Sequence, residues 1–281
     1  MAQNQALEFR KLTSIVGAEV IGADVGRFRD DPDLPRTVAD AVEEHGVLLF
    51  RGLNIDDETQ IAFSRKLGPL RTFADNPVPE IFDVGWNDSN RYSEYLRGNV
   101  SWHFDGVLDQ DIQTKIGMLS AKVVTTEGGE TYFASSYAAY EMLSDEEKEK
   151  FKELQVLFSY EASQRRVFVN PSEEQVAAWR KWPTPPRVHP LVWTHASGRK
   201  SLTISSTMDH IVDWEIEEGR ALLNNLVRRA TAPDRVYRHV WGVGDSVIWD
   251  NSGLYHRVNP YDPHAGRSLH RTTVLGKERI Q

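Results

Sequence analysis

The sequence predicts a mainly β protein with flanking α-helices and a core of the sandwich or jelly-roll type. Eight short segments are rich in apolar residues that mostly alternate with polar ones, as expected of half-buried strands. Few segments repeat apolar residues at helical spacing, and no internal repeat, low-complexity segment or linker divides the chain. The eight candidate strands are Thr114–Lys122, Gly129–Ala134, Gln155–Tyr160, Pro190–His195, Ser201–Ser205, Arg235–Val240, Asp245–Asp250 and His270–Leu275.

The length and composition indicate one globular domain. The chain has 281 residues, of which 40% are hydrophobic and 26% are charged. All-β folds of this size commonly bury a single core, and this composition differs from that of disordered segments. We therefore expect one domain over residues 1–281.

The first elements of the chain should lie beside that core. Gly17–Val25 is apolar-rich and bounded by glycine, which predicts a short strand or strand pair. A helix should follow, because Pro35 suits a first helical turn and Gly46 can end the helix. The apolar run GVLLFRG at 46–52 then predicts a buried strand.

A second helix and a long loop region should come next. Asp56–Asp57 can cap this helix, which should end at Gly68. Residues 71–98 contain several turn formers and predict long loops around one strand at Glu80–Val84. Loops of this length often border a functional site. Further along the chain, the Pro-rich segment Trp179–Pro186 also predicts a loop.

Two later segments carry helix signals. Ser144 begins a capping-box pattern, with Glu three positions on, that should open a charged helix reaching about Leu154. A second helix should begin at Asp213 or Trp214 and continue through Val227, because its leucines recur at helical spacing.

Charge and residue usage exclude several classes of function. The formal net charge is −8, and no run of Lys or Arg exceeds two residues, so we expect no nucleic-acid partner. There is no cysteine, so any metal must be held by His and carboxylate side chains. Apolar stretches are too short to span a bilayer and the opening residues lack a signal-peptide pattern. We therefore expect no membrane partner and a cytoplasmic location.

The sharpest local feature is SWHFDG at 101–106, which places His103 two residues before Asp105. In extended backbone these two side chains face the same side. An imidazole and a carboxylate on one face suit Fe(II), Mn(II) or Zn(II). A His-x-Asp pair arises roughly once by chance in a chain with this many histidines, so it predicts a metal site only together with a third ligand.

His256 is the candidate third ligand. It lies in GDSVIWDNSGLYHRV at 244–258, just past a predicted strand and turn, and 153 residues after His103. Arg267 follows it and Arg271 comes four residues later, so the two arginines should share one face of a strand. A guanidinium on a strand suits a bidentate contact with a carboxylate, although a surface salt bridge is the alternative.

These motifs resemble the taurine dioxygenase family, which includes the phenoxyacetate herbicide dioxygenases and alkylsulfatases. The resemblance extends over nearly the whole chain and implies a double-stranded β-helix, or jelly-roll, core. The segments that carry it are Gly17–Val25, GVLLFRG, IAFSRKLGPL, WHFDG, GGETYFASSYAAYEMLS, HPLVWTH, GDSVIWDN and HRTTVLG.

The resemblance also implies roles for individual residues. His103, Asp105 and His256 match the iron ligands of the family. Arg267 matches the arginine that pairs with the distal carboxylate of 2-oxoglutarate, and Thr131 matches its hydroxyl partner.

Two further positions concern the substrate. Arg271 matches a position that contacts an anionic substrate in several relatives, but it could equally support Arg267 or a structural carboxylate. Asn99 is a candidate for the substrate side of the site. Trp102 and Trp249 are expected to be core or wall residues.

The implied enzyme is an Fe(II)- and 2-oxoglutarate-dependent dioxygenase that consumes O₂ and releases succinate and CO₂. It would hydroxylate a small anionic substrate, or cleave it after hydroxylation. Taurine-specific relatives hold the sulfonate with a histidine, and this chain has none between Leu70 and Trp102. An aromatic substrate wall is expected instead, from Phe73, Phe82, Trp86, Tyr92, Tyr95 and Phe104.

Two other functions remain open for these residues. A zinc hydrolase could use the same three ligands to activate water, but it leaves Arg267 and Thr131 without a role. A non-catalytic jelly-roll binding module with a relic metal site is the other alternative. The resemblance is also compatible with assembly into a homo-oligomer.

Overall fold

The computed structural model describes residues 6–86, 92–109 and 113–280. Within these residues the strands form one large sheet and three small ones. The strands are β1 (Glu8–Lys11), β2 (Ala18–Ile21), β3 (Val47–Phe50), β4 (Phe82–Val84), β5 (Thr114–Val123), β6 (Thr131–Ser135), β7 (Gln155–Phe158), β8 (Arg187–Pro190), β9 (Val192–Thr194), β10 (Lys200–Leu202), β11 (Met208–Ile211), β12 (Val236–His239), β13 (Ser246–Asp250), β14 (Leu254–Val258) and β15 (Ser268–Leu275).

Helices pack against these sheets, so the architecture is mainly β with helices, as predicted. None of the helices in the described part of the chain has the length and apolar character that a membrane span requires. The helices are α1 (Val25–Asp30), α2 (Leu34–His45), α3 (Asp57–Leu67), α4 (Ser93–Arg97), α5 (Ser136–Glu141), α6 (Asp145–Phe151), α7 (Tyr160–Arg165), α8 (Glu173–Arg180) and α9 (Ile216–Ala230).

The large sheet has the strand order β1-β2-β3-β13-β5-β15-β4 and separates two layers of the core. Because successive side chains of a strand point to opposite faces, β3 contributes to both layers. Leu48 and Phe50 join the apolar cluster that also contains side chains of α1, α2 and α3. Val47 and Leu49 join a second cluster on the other face. The helices thus cover one face of the large sheet.

The other face of the large sheet packs against the sheet β12-β6-β14. Phe133 of β6 and Leu254 of β14 meet Trp249 of β13 in that second cluster, and all three are buried. Two sheets therefore enclose this layer. The remaining sheets, β11-β7-β8 and β10-β9, share a third cluster with α5, α6 and α9.

Most of the predicted elements are present with similar bounds. The predicted helix between Pro35 and Gly46 is α2, and Gly46 caps it with a φ of 74°. The predicted helix after Asp56 is α3, whose first turn is capped by the Asp56 carboxylate accepting from the Thr59 amide. The Ser144 capping box forms as predicted and opens α6.

Several predictions were wrong in detail. The segment at Pro190–His195 is divided between β8 and β9, and β10 ends at Leu202, before the end of the predicted strand Ser201–Ser205. Trp179 ends up in α8, where it is buried, although its segment was predicted to be a loop. Residues 87–91 of the predicted loop region lie outside the described residues. Elements that were not predicted include β1, β11, β14, α1, α4, α5, α7 and α8.

Candidate active site and metal centre

His103 and His256 face each other across a pair of antiparallel chain segments. The His103 amide donates to the His256 carbonyl at 3.0 Å, and the His256 amide donates to the His103 carbonyl at 2.7 Å. This pairing extends the small sheet beyond β14, which contains His256. As predicted, His256 lies just past a strand and a turn, because β13 ends at Asp250 and the turn at 251–253 follows it. The strand that carries His256, β14, was not predicted. The imidazole centroids are 4.3 Å apart.

Asp105 lies in a turn immediately after His103. Gly106 has a φ of 88°, and a Cβ atom there would lie 2.8 Å from a carboxylate oxygen of Asp109, so the turn favours glycine. The Asn251 side chain fixes the backbone of Asp105 with two hydrogen bonds. Its Oδ1 accepts from the Asp105 amide, and its Nδ2 donates to the Asp105 carbonyl, both at 2.9 Å. Asn251 is fully buried and thus clamps the turn that carries this carboxylate.

The ligand atoms of His103, Asp105 and His256 all lie within 4.8 Å of one another. Asp105 Oδ1 is 4.0 Å from His103 Nε2, and Asp105 Oδ2 is 3.8 Å from His256 Nε2. The three side chains predicted as metal ligands therefore converge on one point. Among the described residues they are the group with the composition and spacing that a metal ion needs.

The hydrogen bonding of His103 suits a metal ligand. Its Nδ1 lies 2.9 Å from the Ser101 carbonyl, which can only accept, so Nδ1 carries the proton. In the neutral ring Nε2 then has a free lone pair. Nε2 is buried and has no hydrogen-bond partner among the described residues. A buried nitrogen without a partner is costly, and a metal ion at this point would satisfy it.

The charge states of the three side chains also suit a metal. Burial lowers the pKa of His103, and burial together with neighbouring His103 lowers the pKa of His256 to about 3. Both rings are therefore neutral near pH 7. Burial alone would raise the pKa of Asp105, but Arg271 and the two histidines outweigh it and hold that pKa far below its ordinary value. Two neutral imidazoles and one carboxylate are ligands for Fe(II).

Arg271 lies on β15 and contacts this carboxylate. Its Nη1 donates to Asp105 Oδ2 at 2.9 Å. Its Nε is buried and has no hydrogen-bond partner among the described residues. The guanidinium thus contacts the Asp105 carboxylate and keeps its Nε donor for a further acceptor.

Arg267 and Thr131 line a narrow cavity together with His103, His256 and Arg271. The Arg267 side chain is 3% exposed, and it donates from Nη1 to the Val84 carbonyl and from Nη2 to the Gly129 carbonyl, each at 3.1 Å. Burial lowers the pKa of Arg267, although a guanidinium stays charged. No carboxylate among the described residues lies within salt-bridge distance of it. The cavity therefore contains a buried positive charge that lacks a paired anion.

A wider cavity of about 320 Å³ opens on the other side of His103 and Asp105. Asn99 and Arg271 line both cavities. Arg71 enters the wide cavity as an ion pair with Asp109. Aromatic residues make up most of its apolar lining, and seven serines and threonines also line it. The aromatic residues that line it are Phe73, Phe82, Tyr92, Tyr95, Phe104, Tyr160 and Trp182.

Five of the six aromatic residues predicted for the substrate wall are therefore in the wide cavity. The sixth, Trp86, lines the narrow cavity and stacks on Tyr261 at a centroid distance of 4.4 Å. Trp249 is fully buried in the core and also borders the narrow cavity, and Trp102 packs against the third core cluster. Both tryptophans thus have the core or wall positions that were predicted.

Sequence reasoning missed several residues of this region. Tyr160 and Trp182 complete the aromatic wall, and Arg71 supplies a second cation. Asn251 holds the Asp105 backbone without lining either cavity. The motif GDSVIWDN includes Asn251, but nothing local indicates that its amide would reach Asp105, which is 146 residues away in the chain.

Comparison with known proteins agrees with this geometry. The model of the family described as "Taurine catabolism dioxygenase TauD, TfdA family" matches residues 8–273. An alpha-ketoglutarate-dependent 2,4-dichlorophenoxyacetate dioxygenase of Burkholderia sp. (strain RASC) is 36% identical over 259 residues, covering 86% of each chain. An (S)-phenoxypropionate/alpha-ketoglutarate-dioxygenase of Sphingobium herbicidovorans is 31% identical over 277 residues, covering 96% of each.

A solved structure is also similar over the whole chain. The crystal structure of AAD-2 in complex with Mn(II) and N-oxalylglycine has a TM-score of 0.81 and 33% identity, covering 98% of this chain and 100% of that one. The chain therefore belongs to the TauD, TfdA family. It is a dioxygenase that depends on Fe(II), 2-oxoglutarate and O₂, as the resemblance implied. This finding favours the dioxygenase over the zinc hydrolase and the non-catalytic binding module.

Proposed function

We propose that the chain hydroxylates a small anionic organic substrate, with C–O cleavage following where the hydroxylated carbon bears an oxygen substituent. The observation that carries the 2-oxoglutarate-dependent chemistry of this proposal is the position of Arg267. Its buried guanidinium has no paired carboxylate among the described residues, yet it lines the same cavity as two of the three candidate metal ligands. An unpaired buried charge is costly, so a site of this kind is built for an anionic ligand.

His103, Asp105 and His256 would hold the iron, and they fit it in charge and donor type. When bound, Fe(II) with 2-oxoglutarate and O₂ supplies the oxidation of a substrate C–H bond, with succinate and CO₂ released. The protein's own residues orient the reactants. Asn251 holds the Asp105 backbone, and the Ser101 carbonyl keeps the His103 proton on Nδ1.

Arg267 and Thr131 would bind the distal carboxylate of 2-oxoglutarate. The guanidinium offers parallel N–H donors that match a carboxylate, and the hydroxyl adds a third donor. The two carbonyls that Arg267 already contacts hold its plane in place. Gly129 must remain glycine here, because its φ is 76° and a Cβ atom would lie 3.1 Å from Arg267 Nε.

The wide cavity would hold the substrate. Its aromatic wall suits an apolar or aromatic body, and the free Nε donor of Arg271 suits a carboxylate or sulfate. Asn99 would contact the substrate where the two cavities meet. The relatives named above act on phenoxyacetate and phenoxypropionate compounds. Together with the missing histidine between Leu70 and Trp102, these features favour a hydrophobic carboxylate over taurine.

The domain organisation, the location and the partners of the protein are part of the same proposal. We propose one domain over residues 1–281 with a double-stranded β-helix core, supported by the two sheets that enclose the second apolar cluster. We also propose a cytoplasmic enzyme whose partner is a small molecule rather than nucleic acid or a membrane, in line with its net charge of −8. Assembly into a homo-oligomer is compatible with this proposal.

Release of CO₂ from labelled 2-oxoglutarate tests the function. Purified protein with Fe(II) and ascorbate would be offered phenoxyacetate, phenoxypropionate, an alkyl sulfate and taurine. We expect release to be stimulated most by an aromatic carboxylate and least by taurine. The control is His256→Ala, which removes a proposed ligand and should abolish stimulated release. Equal turnover by His256→Ala would contradict the proposed metal ligands, and stimulation by taurine alone would contradict the substrate class.

A further inference from the structure

The hydroxyl of Thr131 has one hydrogen bond within the described residues, and its donor is Trp241. The indole Nε1 donates to Thr131 Oγ1 at 3.0 Å. An indole N–H can only donate, so the threonine oxygen is the acceptor in this bond. The hydroxyl proton of Thr131 is then free to point to another acceptor. Thr131 lines the narrow cavity beside Arg267, and both side chains are buried.

We propose that Trp241 is a positioning residue for 2-oxoglutarate, acting through Thr131. By occupying one lone pair of the hydroxyl oxygen, the indole would direct the O–H towards the carboxylate that Arg267 binds. Trp241 does not line either cavity, so it would influence the ligand only through Thr131. This inference rests on the proposed role of the narrow cavity as the 2-oxoglutarate site.

Sheet pairing explains why the indole reaches Thr131. His239, at the end of β12, pairs directly with Thr131, at the start of β6. Trp241 follows two residues after His239, where the chain leaves the sheet. The rings of His239 and Trp241 meet edge to face with centroids 4.3 Å apart. The register of β12 on β6 therefore brings the indole to the threonine, although the two residues are 110 positions apart in the chain.

The turn after Trp241 is anchored by a buried carboxylate. Asp245 Oδ2 accepts from the Gly242 amide at 2.9 Å and from Arg51 Nη1 at 2.7 Å. Asp245 Oδ1 accepts from the Gly52 amide at 2.9 Å. The residue next to Trp241 is thus tied to the loop after β3. Hydrogen bonds that fix the neighbouring backbone in this way are expected where the indole N–H of Trp241 must keep one direction.

A purely structural role for Trp241 is the alternative, because its ring belongs to the second apolar cluster. The two roles differ in what they predict for the indole N–H. Trp193 provides a matched control, since it is also buried, in another cluster, and its Nε1 has no hydrogen-bond partner among the described residues. Replacing either tryptophan by phenylalanine removes one N–H and reduces ring volume in the core.

The test is calorimetric binding of 2-oxoglutarate to the Fe(II)-loaded protein without oxygen. We expect Trp241→Phe to weaken binding about fivefold, as for loss of one hydrogen bond, and Trp193→Phe to leave it unchanged. Thr131→Val should weaken binding at least as much. The double variant Trp241→Phe/Thr131→Val should bind like Thr131→Val alone, because the indole would act only through the hydroxyl. Additive losses, or no loss in Trp241→Phe, would overturn the proposal.

A second measurement applies even where Trp241→Phe does not fold. With Zn(II) in place of Fe(II), adding 2-oxoglutarate should shift the indole ¹H–¹⁵N resonance of Trp241 in the wild type and leave it unshifted in Thr131→Val. An unshifted resonance in the wild type at saturating ligand would also overturn the proposal. Failure of wild-type protein to bind 2-oxoglutarate at all would instead refute the proposed function of the cavity.

Discussion

The narrow and wide cavities share a boundary at His103 and Asn99, but they are built from different kinds of structure. Thr131 and His256 of the narrow cavity lie on strands of one sheet, and Arg267 directly precedes β15. The wall of the wide cavity comes mainly from loops and short helices in two ranges, 71–109 and 160–207. Strands hold their side chains more rigidly than loops do.

This difference matches the proposed roles of the two cavities, with 2-oxoglutarate in the narrow cavity and the primary substrate in the wide cavity. A co-substrate common to a family needs the same donors in every member, and paired strands provide them. The substrate differs among relatives, and loop residues can change without disturbing the sheet. The narrow cavity should therefore respond sharply to single changes, and the wide cavity should respond mildly and only towards the substrate.

The largest effect that separates the cavities is expected from Arg267→Ala. Loss of a buried charge-assisted contact should raise the 2-oxoglutarate concentration needed for half-maximal turnover about 100-fold. The KM for the primary substrate should stay nearly constant. Arg267→Lys is the control, and it should be intermediate because an ammonium cannot make the same planar contact. A larger change in substrate KM than in 2-oxoglutarate KM would reverse the assignment of the two cavities.

A smaller effect is expected from Asn251→Ala, because Asn251 supports Asp105 from outside both cavities. The change removes both hydrogen bonds to the Asp105 backbone, so the carboxylate should lose its fixed position. Supporting groups of this kind typically contribute 10- to 100-fold to metal affinity, and we expect a loss of about 10-fold in Fe(II) or Mn(II) binding. Competition with a chelator measures it. Unchanged metal affinity in a folded variant would show that Asn251 does not position Asp105.

The smallest effect is expected from Trp182→Leu in the wide cavity. Trp182 lines the wide cavity and stacks on Tyr160 with centroids 4.1 Å apart. Stacking of Trp182 on an aromatic substrate would contribute about 1 kcal/mol to substrate binding beyond burial. The KM for an aromatic substrate should rise about fivefold, with the 2-oxoglutarate KM unchanged. Steady-state kinetics with each reactant varied in turn provides the comparison. An equal rise in both values would mean that the two cavities are not independent.

The sequence predicts residues of both cavities but misses some of the strand pairing that brings them together. Alternating apolar residues predict β5, β6 and β13, because burial on one face of a sheet leaves a pattern of period two. The spacing in His103-x-Asp105 and the family motifs point to the metal cluster. By contrast, β14 was missed, and with it the direct pairing of His256 with His103, because strand pairing between distant segments leaves no local pattern.

The unpredicted parts have physical reasons in common. Helices such as α4 and α7 are five and six residues long, too short for a helical period to be recognised. Asn251 and Trp241 act through partners that are 146 and 110 residues away in the chain. In the sequence alone, an asparagine or a tryptophan at these positions is equally compatible with a turn and with the core. Tertiary packing alone gives them their positions.

The most direct test of the central claim is an anaerobic titration of metal-free protein with Fe(II) and 2-oxoglutarate. A keto acid chelated to Fe(II) has a visible metal-to-ligand charge-transfer band. We predict that this band forms in the wild type, needs more 2-oxoglutarate in Arg267→Ala and is absent in His256→Ala. A wild-type protein that is folded and binds Fe(II), yet produces no band at saturating 2-oxoglutarate, would contradict the assignment of this site.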